Sequence, residues 1–281
     1  MIAMRANSPS PAAPLSTASS VFARDGIFYV ASAAIFFAAL AATFYYCHTM
    51  SGGMEMPGGW SMSMMWMPMP GQSWPAAFIM FMSMWAAMMI AMMLPSSLRM
   101  ISNYRTALRS AGISRVAIPT ALMSCGYILI WLTVGAIVFA AGTPLAFAAM
   151  RWPALSRVIP SAAGASLIVA GALQFMPHKM TFLCRCRDMR ACIASHTHAG
   201  RPATLGALRC GFACGRACAG CCAAPMLALI VVGMMNPFSM LSAASIIALE
   251  KLAPHPVQIV RLTGIAFALI GTAMIVQSVL A

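Results

Sequence analysis

The chain has 281 residues, of which 62% are hydrophobic and 7% are charged, and its mean hydropathy is +0.86. This composition leaves too little polar surface to cover a soluble globule, so it predicts an integral membrane protein in contact with a lipid bilayer. Seventeen Lys and Arg stand against four Asp and Glu, for a formal net charge of +13. These cations lie singly between apolar blocks, so they indicate an anionic lipid surface as the partner and not nucleic acid.

The chain divides into a short tail and one long apolar domain. Residues 1–23 contain Ser, Pro and Ala without apolar periodicity, so we expect a disordered N-terminal tail. Residues 24–281 form the predicted transmembrane helical domain. Its apolar blocks are Ile27–Cys47, Trp74–Leu94, Val116–Ala140, Ser161–Met176, Gly206–Met235, Phe238–Leu252 and Val257–Ala281. Because a span in lipid must satisfy its own backbone hydrogen bonds, the predicted fold class is all-α, a polytopic helix bundle with six or seven spans.

The distribution of Lys and Arg predicts the orientation of the bundle. With the N-terminus inside, the inner segments carry Arg5, Arg24, Arg99, Arg105, Arg109, Arg115, Lys179, Arg185, Arg187, Arg190, Arg201, Lys251 and Arg261. The outer segments then carry only Arg151 and Arg157, while Arg209 and Arg216 lie within an apolar block. Cytoplasmic connections are enriched in Lys and Arg, so we expect a cytoplasmic N-terminus.

The connection of residues 48–73, which faces outward in this orientation, is rich in methionine. Its eight methionines are Met50, Met54, Met56, Met62, Met64, Met65, Met67 and Met69. Thioether sulfur is a soft ligand that persists where free thiols would be oxidised, so the loop suits capture of Cu(I). His48 with Met50, and Met54 with Met56, are the predicted short-range ligand pairs. The alternative is that methionine supplies adaptable apolar contact at the membrane surface or with another subunit.

The fifth apolar block carries five cysteines: Cys210, Cys214, Cys218, Cys221 and Cys222. At about 100° per residue these thiols fall within an arc of about 120° on a helix, roughly opposite Arg209 and Arg216. We expect the thiols to point into the bundle on the reducing side, where they would not form a disulfide scaffold and two to four of them could bind Cu(I) or Zn(II). The alternative is close helix packing by small residues, which the neighbouring Gly211 and Gly215 favour.

Other candidate ligands lie at the same inner level. Met88, Met89, Met92 and Met93 end the second block, although the methionines of this block form two nearly opposite ridges and most of them suit packing. The inner loop of residues 177–203 contains several Cys and His, of which Cys186 is the preferred ligand. Glu250 lies at the inner end of the sixth block. An acidic side chain at this position either has a function or simply reaches the water around the lipid head groups, and both interpretations stay open.

Ordered motifs give the chain a family resemblance from about Met84 to its C-terminus. The motifs are Met84-Trp85-Ala86-Ala87-Met88-Met89-Ile90-Ala91-Met92-Met93-Leu94-Pro95-Ser96, Lys179 with Cys186-Arg187, Cys218-Ala219-Gly220-Cys221-Cys222, Gly233-Met234-Met235-Asn236 and Glu250-Lys251. With these the chain resembles a bacterial family of predicted metal-binding integral membrane proteins of unknown function. The resemblance implies metal binding and places the protein in the bacterial inner membrane. The family's first inner-loop Cys falls on Phe182, with Cys184 nearby, and a His is replaced by Cys214, which makes the site softer.

These observations predict a non-enzymatic protein of copper handling or transport. The candidate metal ligands are Cys214, Cys218, Cys221, Cys222, Cys186, Met88, Met89, Met92, Met93, His48, Met50, Met54 and Met56. The predicted ion is Cu(I), with zinc as the second choice, and the predicted partners are other membrane or periplasmic copper proteins. The sequence shows no phosphate-binding glycine loop, so ATP-driven pumping is not expected. Two alternatives stay open: a non-catalytic assembly subunit, and a thiol oxidoreductase that exchanges electrons with quinone.

Overall fold

The structure, a computed structural model, describes residues 15–50, 52–68, 71–113, 115–187 and 203–280, with side chains from Asp25 onward except that of Ala203. The described residues form eight α-helices, numbered here in chain order: α1 (Leu15–Thr49), α2 (Trp74–Ser110), α3 (Ala117–Arg151), α4 (Pro153–Phe175), α5 (Pro177–Arg187), α6 (Ala203–Val232), α7 (Pro237–Leu252) and α8 (Pro256–Leu280). The predicted all-helical bundle is confirmed apart from one small hairpin. Its antiparallel strands β1 (Gly53–Met56) and β2 (Trp60–Ser63) precede a 3-10 turn at Met64–Trp66.

Six of the helices, α1 to α4, α6 and α8, are long and apolar enough to cross a membrane. The chain is therefore a multi-pass membrane protein with six candidate spans among its described residues. Helix α7 has 16 residues and is about 24 Å long at 1.5 Å per residue, which is less than the roughly 30 Å hydrocarbon core. The apolar block Phe238–Leu252 is thus a short helix within the bundle.

Two boundaries differ from the sequence prediction. Helix α1 begins at Leu15, so residues 15–23 are helical although we expected them in the disordered tail. Adding residues to an existing helix avoids the unfavourable nucleation step, which explains how a weakly periodic segment becomes helical. Residues 1–14 lie outside the described residues. The predicted inner loop of residues 177–203 begins with the helix α5, and its residues 188–202 also lie outside the described part.

A buried ion pair joins α1 to α2. Asp25 is only 2% exposed, and its carboxylate lies 2.6 Å from guanidinium nitrogens of both Arg105 and Arg109. The Arg105 guanidinium also lies 4.4 Å above the ring centroid of Phe28. These contacts hold the beginning of α1 against the last turns of α2.

The centre of the bundle is an apolar core rich in aromatic and sulfur-containing residues. Trp85 of α2 and Trp131 of α3 are almost completely buried, and the indole nitrogen of Trp85 donates a 2.8 Å hydrogen bond to the carbonyl oxygen of Trp131. Helix α2 has 37 residues and is about 55 Å long, so it exceeds the roughly 30 Å hydrocarbon core by several turns. Its core-facing methionines and the cysteines of α6 belong to this same core.

Glycines allow α4 and α8 to pack backbone against backbone. Gly164 faces Gly271, and Gly171 faces Gly264, so the two helices run antiparallel. A Cβ atom on Gly271 would lie 2.5 Å from the carbonyl oxygen of Gly164, and one on Gly171 would lie 2.7 Å from that of Gly264. Small residues permit such close approach between membrane helices. Gly211 of α6 contacts Met123 and Gly126 of α3 in the same way, which confirms the packing role proposed for this glycine.

We predict that Gly271→Ala lowers the free energy of unfolding by about 1–3 kcal/mol, because the added methyl group must push the Gly164 backbone away. Gly26→Ala is the control, since nothing lies within 4 Å of the new Cβ atom; it should be neutral or stabilising by up to about 1 kcal/mol through helix propensity. Thermal unfolding of both variants in detergent measures the difference. Equal stability of the two variants would contradict the close contact between α4 and α8.

Candidate metal centre

Three buried thiols from two helices meet in the core. The Sγ atoms of Cys186 on α5 and of Cys218 and Cys221 on α6 all lie within 4.8 Å of one another. The three residues are 8%, 0% and 1% exposed, respectively. Because Cys218 and Cys221 are three residues apart on a helix they share one face, and α5 brings Cys186 against that face. The cluster could hold a metal ion.

The remaining cysteines of α6 divide into two groups. Cys222 lies next to the three-thiol cluster, with its Sγ atom 3.5 Å from that of Cys221 and 3.9 Å from that of Cys218. Cys214 is buried one turn before Cys218 but is not among the three clustered thiols. All five cysteines are buried while Arg209 and Arg216 are exposed, as the helical spacing predicts. Cys210 is disulfide-bonded, so the expectation that these cysteines would not form disulfides is wrong for Cys210.

A lysine ammonium from α7 lies directly against the thiols. The Nζ atom of Lys251 is 3.0 Å from the Sγ atom of Cys218 and donates to Ser96 Oγ at 3.3 Å. It also lies 3.9 Å from the Sδ atom of Met93. On the other side, the hydroxyl of Tyr127 hydrogen-bonds Cys218 at 2.9 Å. A cation beside a thiol stabilises the thiolate, which is the form that binds metals.

A second buried lysine fixes the backbone beneath the cluster. The Nζ atom of Lys179 on α5 lies 2.7 Å from a carboxylate oxygen of Glu250 on α7, and it also donates to the carbonyl oxygen of Cys221. Gln174 at the end of α4 donates to the other oxygen of Glu250 at 2.8 Å, and Thr263 of α8 completes the network. Glu250 is 1% exposed, so it pairs inside the protein and does not reach head-group water.

Binding of a metal ion to the cluster would require the loss of protons. Its hydrogen bond with Cys218 raises the pKa of Cys186 to about 11, so this thiol is protonated near neutral pH when no metal is bound. A thiol must be deprotonated to become a ligand, and binding of a metal ion would therefore release the proton of Cys186. The nearby ammonium of Lys251 would then offset part of the negative charge of the thiolates.

The four inner methionines of the sequence prediction are all buried: Met88, Met89, Met92 and Met93 are 1%, 1%, 5% and 1% exposed. They belong to the same core as the three thiols. The Sδ atom of Met93 lies 3.9 Å from the ammonium of Lys251, which in turn contacts Cys218. Met93 is thus linked to the cluster through Lys251.

The outer loop gathers a different set of methionines from the predicted one. A small cleft at the beginning of α2 is lined by Met50, Met64, Met65, Met67 and Met80, together with Gln72, Ala77 and Phe81. Of the predicted ligands only Met50 belongs to it. His48 and Met54 are exposed, and Met56 is buried beside Ala146 and Ala149 in a separate apolar cluster. Met54 and Met56 lie in strand β1 and are not among the residues that line the cleft.

Sequence reasoning missed the polar residues around the thiols. Tyr127 is the one tyrosine of α3 and Gln174 the one glutamine of α4, and this was the available signal, because a large polar side chain in a span requires a partner. Lys179 and Lys251 appeared in the motifs, but spacing alone could not show that both ammonium groups point into the core.

We predict that Glu250→Gln destabilises the protein by about 3–5 kcal/mol, because it leaves the buried ammonium of Lys179 without its counter-charge. The double variant Lys179→Met with Glu250→Gln should recover part of this loss, since no unpaired charge remains. Thermal unfolding in detergent measures both, with Glu55→Gln in the exposed part of the hairpin as the control. A Glu250→Gln variant as stable as Glu55→Gln would show that the ion pair contributes nothing.

Comparison with known proteins points to the same chemistry as the thiol cluster. No curated protein and no solved structure matches the chain. A family model described as PpoB2, copper chaperone, matches residues 82–274. The matched region begins within α2 and contains the three clustered cysteines, both buried lysines and Glu250. With more than half of its length matched, the chain belongs to the PpoB2 copper chaperone family.

Proposed function

We propose that the protein is a membrane copper chaperone that holds Cu(I) at Cys186, Cys218 and Cys221. The observation that carries this proposal is the convergence of three buried Sγ atoms from α5 and α6 within 4.8 Å of one another. Thiolate sulfur is a soft ligand that suits Cu(I), as it also suits zinc and iron–sulfur clusters. The family match supports copper as the ion.

Copper fits this ligand set better than zinc does. A structural zinc site is tetrahedral and needs four ligands, whereas the clustered set contains three thiols. Cys222 would have to move into the cluster to supply the fourth. With three thiolates and one Cu(I) ion the complex carries two negative charges, and Lys251 lies in direct contact with it. The ammonium of Lys251 would offset one of these two charges, and the three-ligand set is what favours Cu(I) over structural zinc.

We further propose that the centre lies toward the cytoplasmic side of the bacterial inner membrane and the methionine cleft toward the outer side. The excess of Lys and Arg in the predicted inner segments supports this orientation. Along α2, Met93 is 19 residues from Trp74, about 28 Å at 1.5 Å per residue, which is close to the thickness of the hydrocarbon core. The disulfide at Cys210 argues in the opposite direction, because the cytoplasm keeps most thiols reduced.

The outer cleft is proposed as a second, weaker site that captures Cu(I). Thioether groups of five methionines line it, and thioethers bind Cu(I) without losing a proton. The ion would then pass to periplasmic or membrane copper proteins or to the inner centre. No catalytic step is required for either site, so we propose a non-enzymatic function. The alternative is an assembly subunit without bound metal, and the two experiments below distinguish it from a copper chaperone.

We predict that the triple variant Cys186→Ser, Cys218→Ser, Cys221→Ser loses bound copper, while the purified wild type binds about one Cu(I) ion at this centre. The matched control replaces the exposed Cys125 and Cys184 by Ser and should keep wild-type copper content. Elemental analysis gives the stoichiometry, and X-ray absorption should show sulfur neighbours alone. Copper that stays bound to the triple variant would show that these three cysteines do not hold the ion. Loss of copper from both variants would show that the effect is not specific to these three cysteines.

We predict a separate effect at the outer cleft. Replacing Met64, Met65 and Met67 by Leu keeps the apolar volume but removes three thioethers, so a second Cu(I) ion should bind at least about tenfold more weakly. Met54→Leu is the control, because Met54 lies outside the cleft. Competitive titration with a Cu(I) chelator measures both affinities. Unchanged binding in the triple Leu variant would assign the outer methionines to packing.

A further inference from the structure

A water-accessible cavity of about 240 Å³ reaches the thiol cluster from one side of the bundle. Its lining residues come from four helices and are Ser96, Ser97, Arg99, Met100, Asn103, Tyr127, Cys186, Arg187, Lys251 and Leu252. Cys186 is the ligand that the cavity shares with the cluster. The cavity is therefore a path by which a small molecule can contact a metal-binding thiol.

The cavity has an exposed rim and a buried floor. Arg99, Asn103 and Arg187 are exposed and form the rim. Cys186 and Lys251 are 8% and 7% exposed and lie on the floor. A ligand that reaches the sulfur must therefore enter the cavity, and a volume of about 240 Å³ accommodates a small molecule and not a folded protein domain.

The charges around the cavity are cationic. Among the described lining residues, the charged side chains are Arg99, Arg187 and Lys251. Two of the chain's four acidic residues, Asp25 and Glu250, are already paired with arginine or lysine. Glu55 lies in the hairpin, and Asp188 lies outside the described residues. A cleft lined by one sign of charge attracts ligands of the opposite sign and repels the same sign.

This charge conflicts with passage of a bare copper ion, because a Cu(I) cation would meet two exposed guanidinium groups before it met a thiol. The same groups attract a Cu(I) ion that is bound to an anionic ligand. The ligand must also bind Cu(I) well enough to carry it, which requires soft sulfur. The chemistry of the cavity therefore selects a small thiol that carries carboxylate groups.

We propose that this cavity binds a small anionic thiol that exchanges Cu(I) with the centre. The inference rests on the proposed function, since it identifies the carrier that loads or unloads the same three thiols. In the loading direction, the Cys186 thiol gives its proton to the departing carrier sulfur, and the copper–sulfur bond of the carrier is replaced by one to Cys186. The copper remains Cu(I) throughout, and unloading is the reverse exchange.

The test compares two carriers on the wild-type protein in detergent. Cu(I) bound to glutathione is an anionic complex, and Cu(I) bound to cysteamine is a cationic one. Uptake from glutathione should slow at least about threefold between roughly 20 and 200 mM KCl, because salt screens the attraction to the rim, whereas uptake from cysteamine should not slow. Rapid desalting followed by elemental analysis gives the rates. Equal salt dependence for both carriers would overturn the proposal.

Variants of the rim provide an independent test. The double variant Arg99→Ala, Arg187→Ala should take up copper from glutathione about tenfold more slowly and from cysteamine at the wild-type rate or faster. The matched control is Arg115→Ala, Arg185→Ala, which removes the same charge at exposed positions that do not line the cavity; it should change either rate less than about twofold. Equal slowing in both double variants would overturn the proposal, as would faster loading from a copper-bound acidic protein than from glutathione.

The copper content at equilibrium separates this inference from the proposed function. A wild-type protein that binds no Cu(I) from any carrier refutes the centre itself. A protein that reaches full copper content, but at rates that ignore the charge of the carrier and of the rim, refutes the anionic thiol alone. The salt experiment uses only the wild-type protein, so it tests the anionic-thiol proposal even if a rim variant fails to fold.

Discussion

The arrangement of the core follows from the burial of two lysine ammonium groups in an otherwise apolar bundle. A buried charge must be compensated, because the cost of removing it from water is several kcal/mol even after relaxation of the protein. Lys179 is compensated by the carboxylate of Glu250. Among the described residues, Lys251 is surrounded by a thiol, a hydroxyl and a thioether without a carboxylate. The charge of Lys251 is therefore complementary to a thiolate or to a negatively charged metal–thiolate complex.

This requirement explains why so many helices meet at the thiols. Lys179 and Cys186 lie on opposite ends of the 11-residue helix α5, so the ion pair with α7 and the contact with Cys218 hold the same helix at both ends. The hydrogen bond from Lys179 to the carbonyl of Cys221 joins α5 to α6. Gln174 and Thr263 add α4 and α8 through Glu250. The positions of the three clustered thiols are thus set by residues that lie outside the cluster.

The fold and the cysteines that α6 contributes to the cluster could be predicted from the sequence. Hydropathy predicted the helical bundle, and the spacing of Cys218, Cys221 and Cys222 predicted a single thiol face, because both depend on local periodicity. Cys186 was selected from the inner loop and does join the cluster. The residues of the outer cleft could not be predicted in the same way, because the hairpin keeps Met54 and Met56 out of the cleft. The shape of the hairpin depends on the positive φ angles of Gly58 and Gly59 and on contacts with α3 and α4. Long-range packing also decided the positions of Tyr127, Gln174 and Lys251.

The two sulfur-rich regions are separated by a row of buried methionines along α2. Met80 lines the outer cleft, and Met84, Met88 and Met92 follow it along α2 at steps of about 6 Å, the rise of four helical residues. These three methionines are buried, and Trp85 beside them is 0% exposed. The two described cavities lie at opposite ends of this row, and the methionines between them are shielded from solvent. An ion that passed from the cleft to the thiols would therefore have to move between buried side chains, so exchange with carriers at each end is the simpler form of the proposed function.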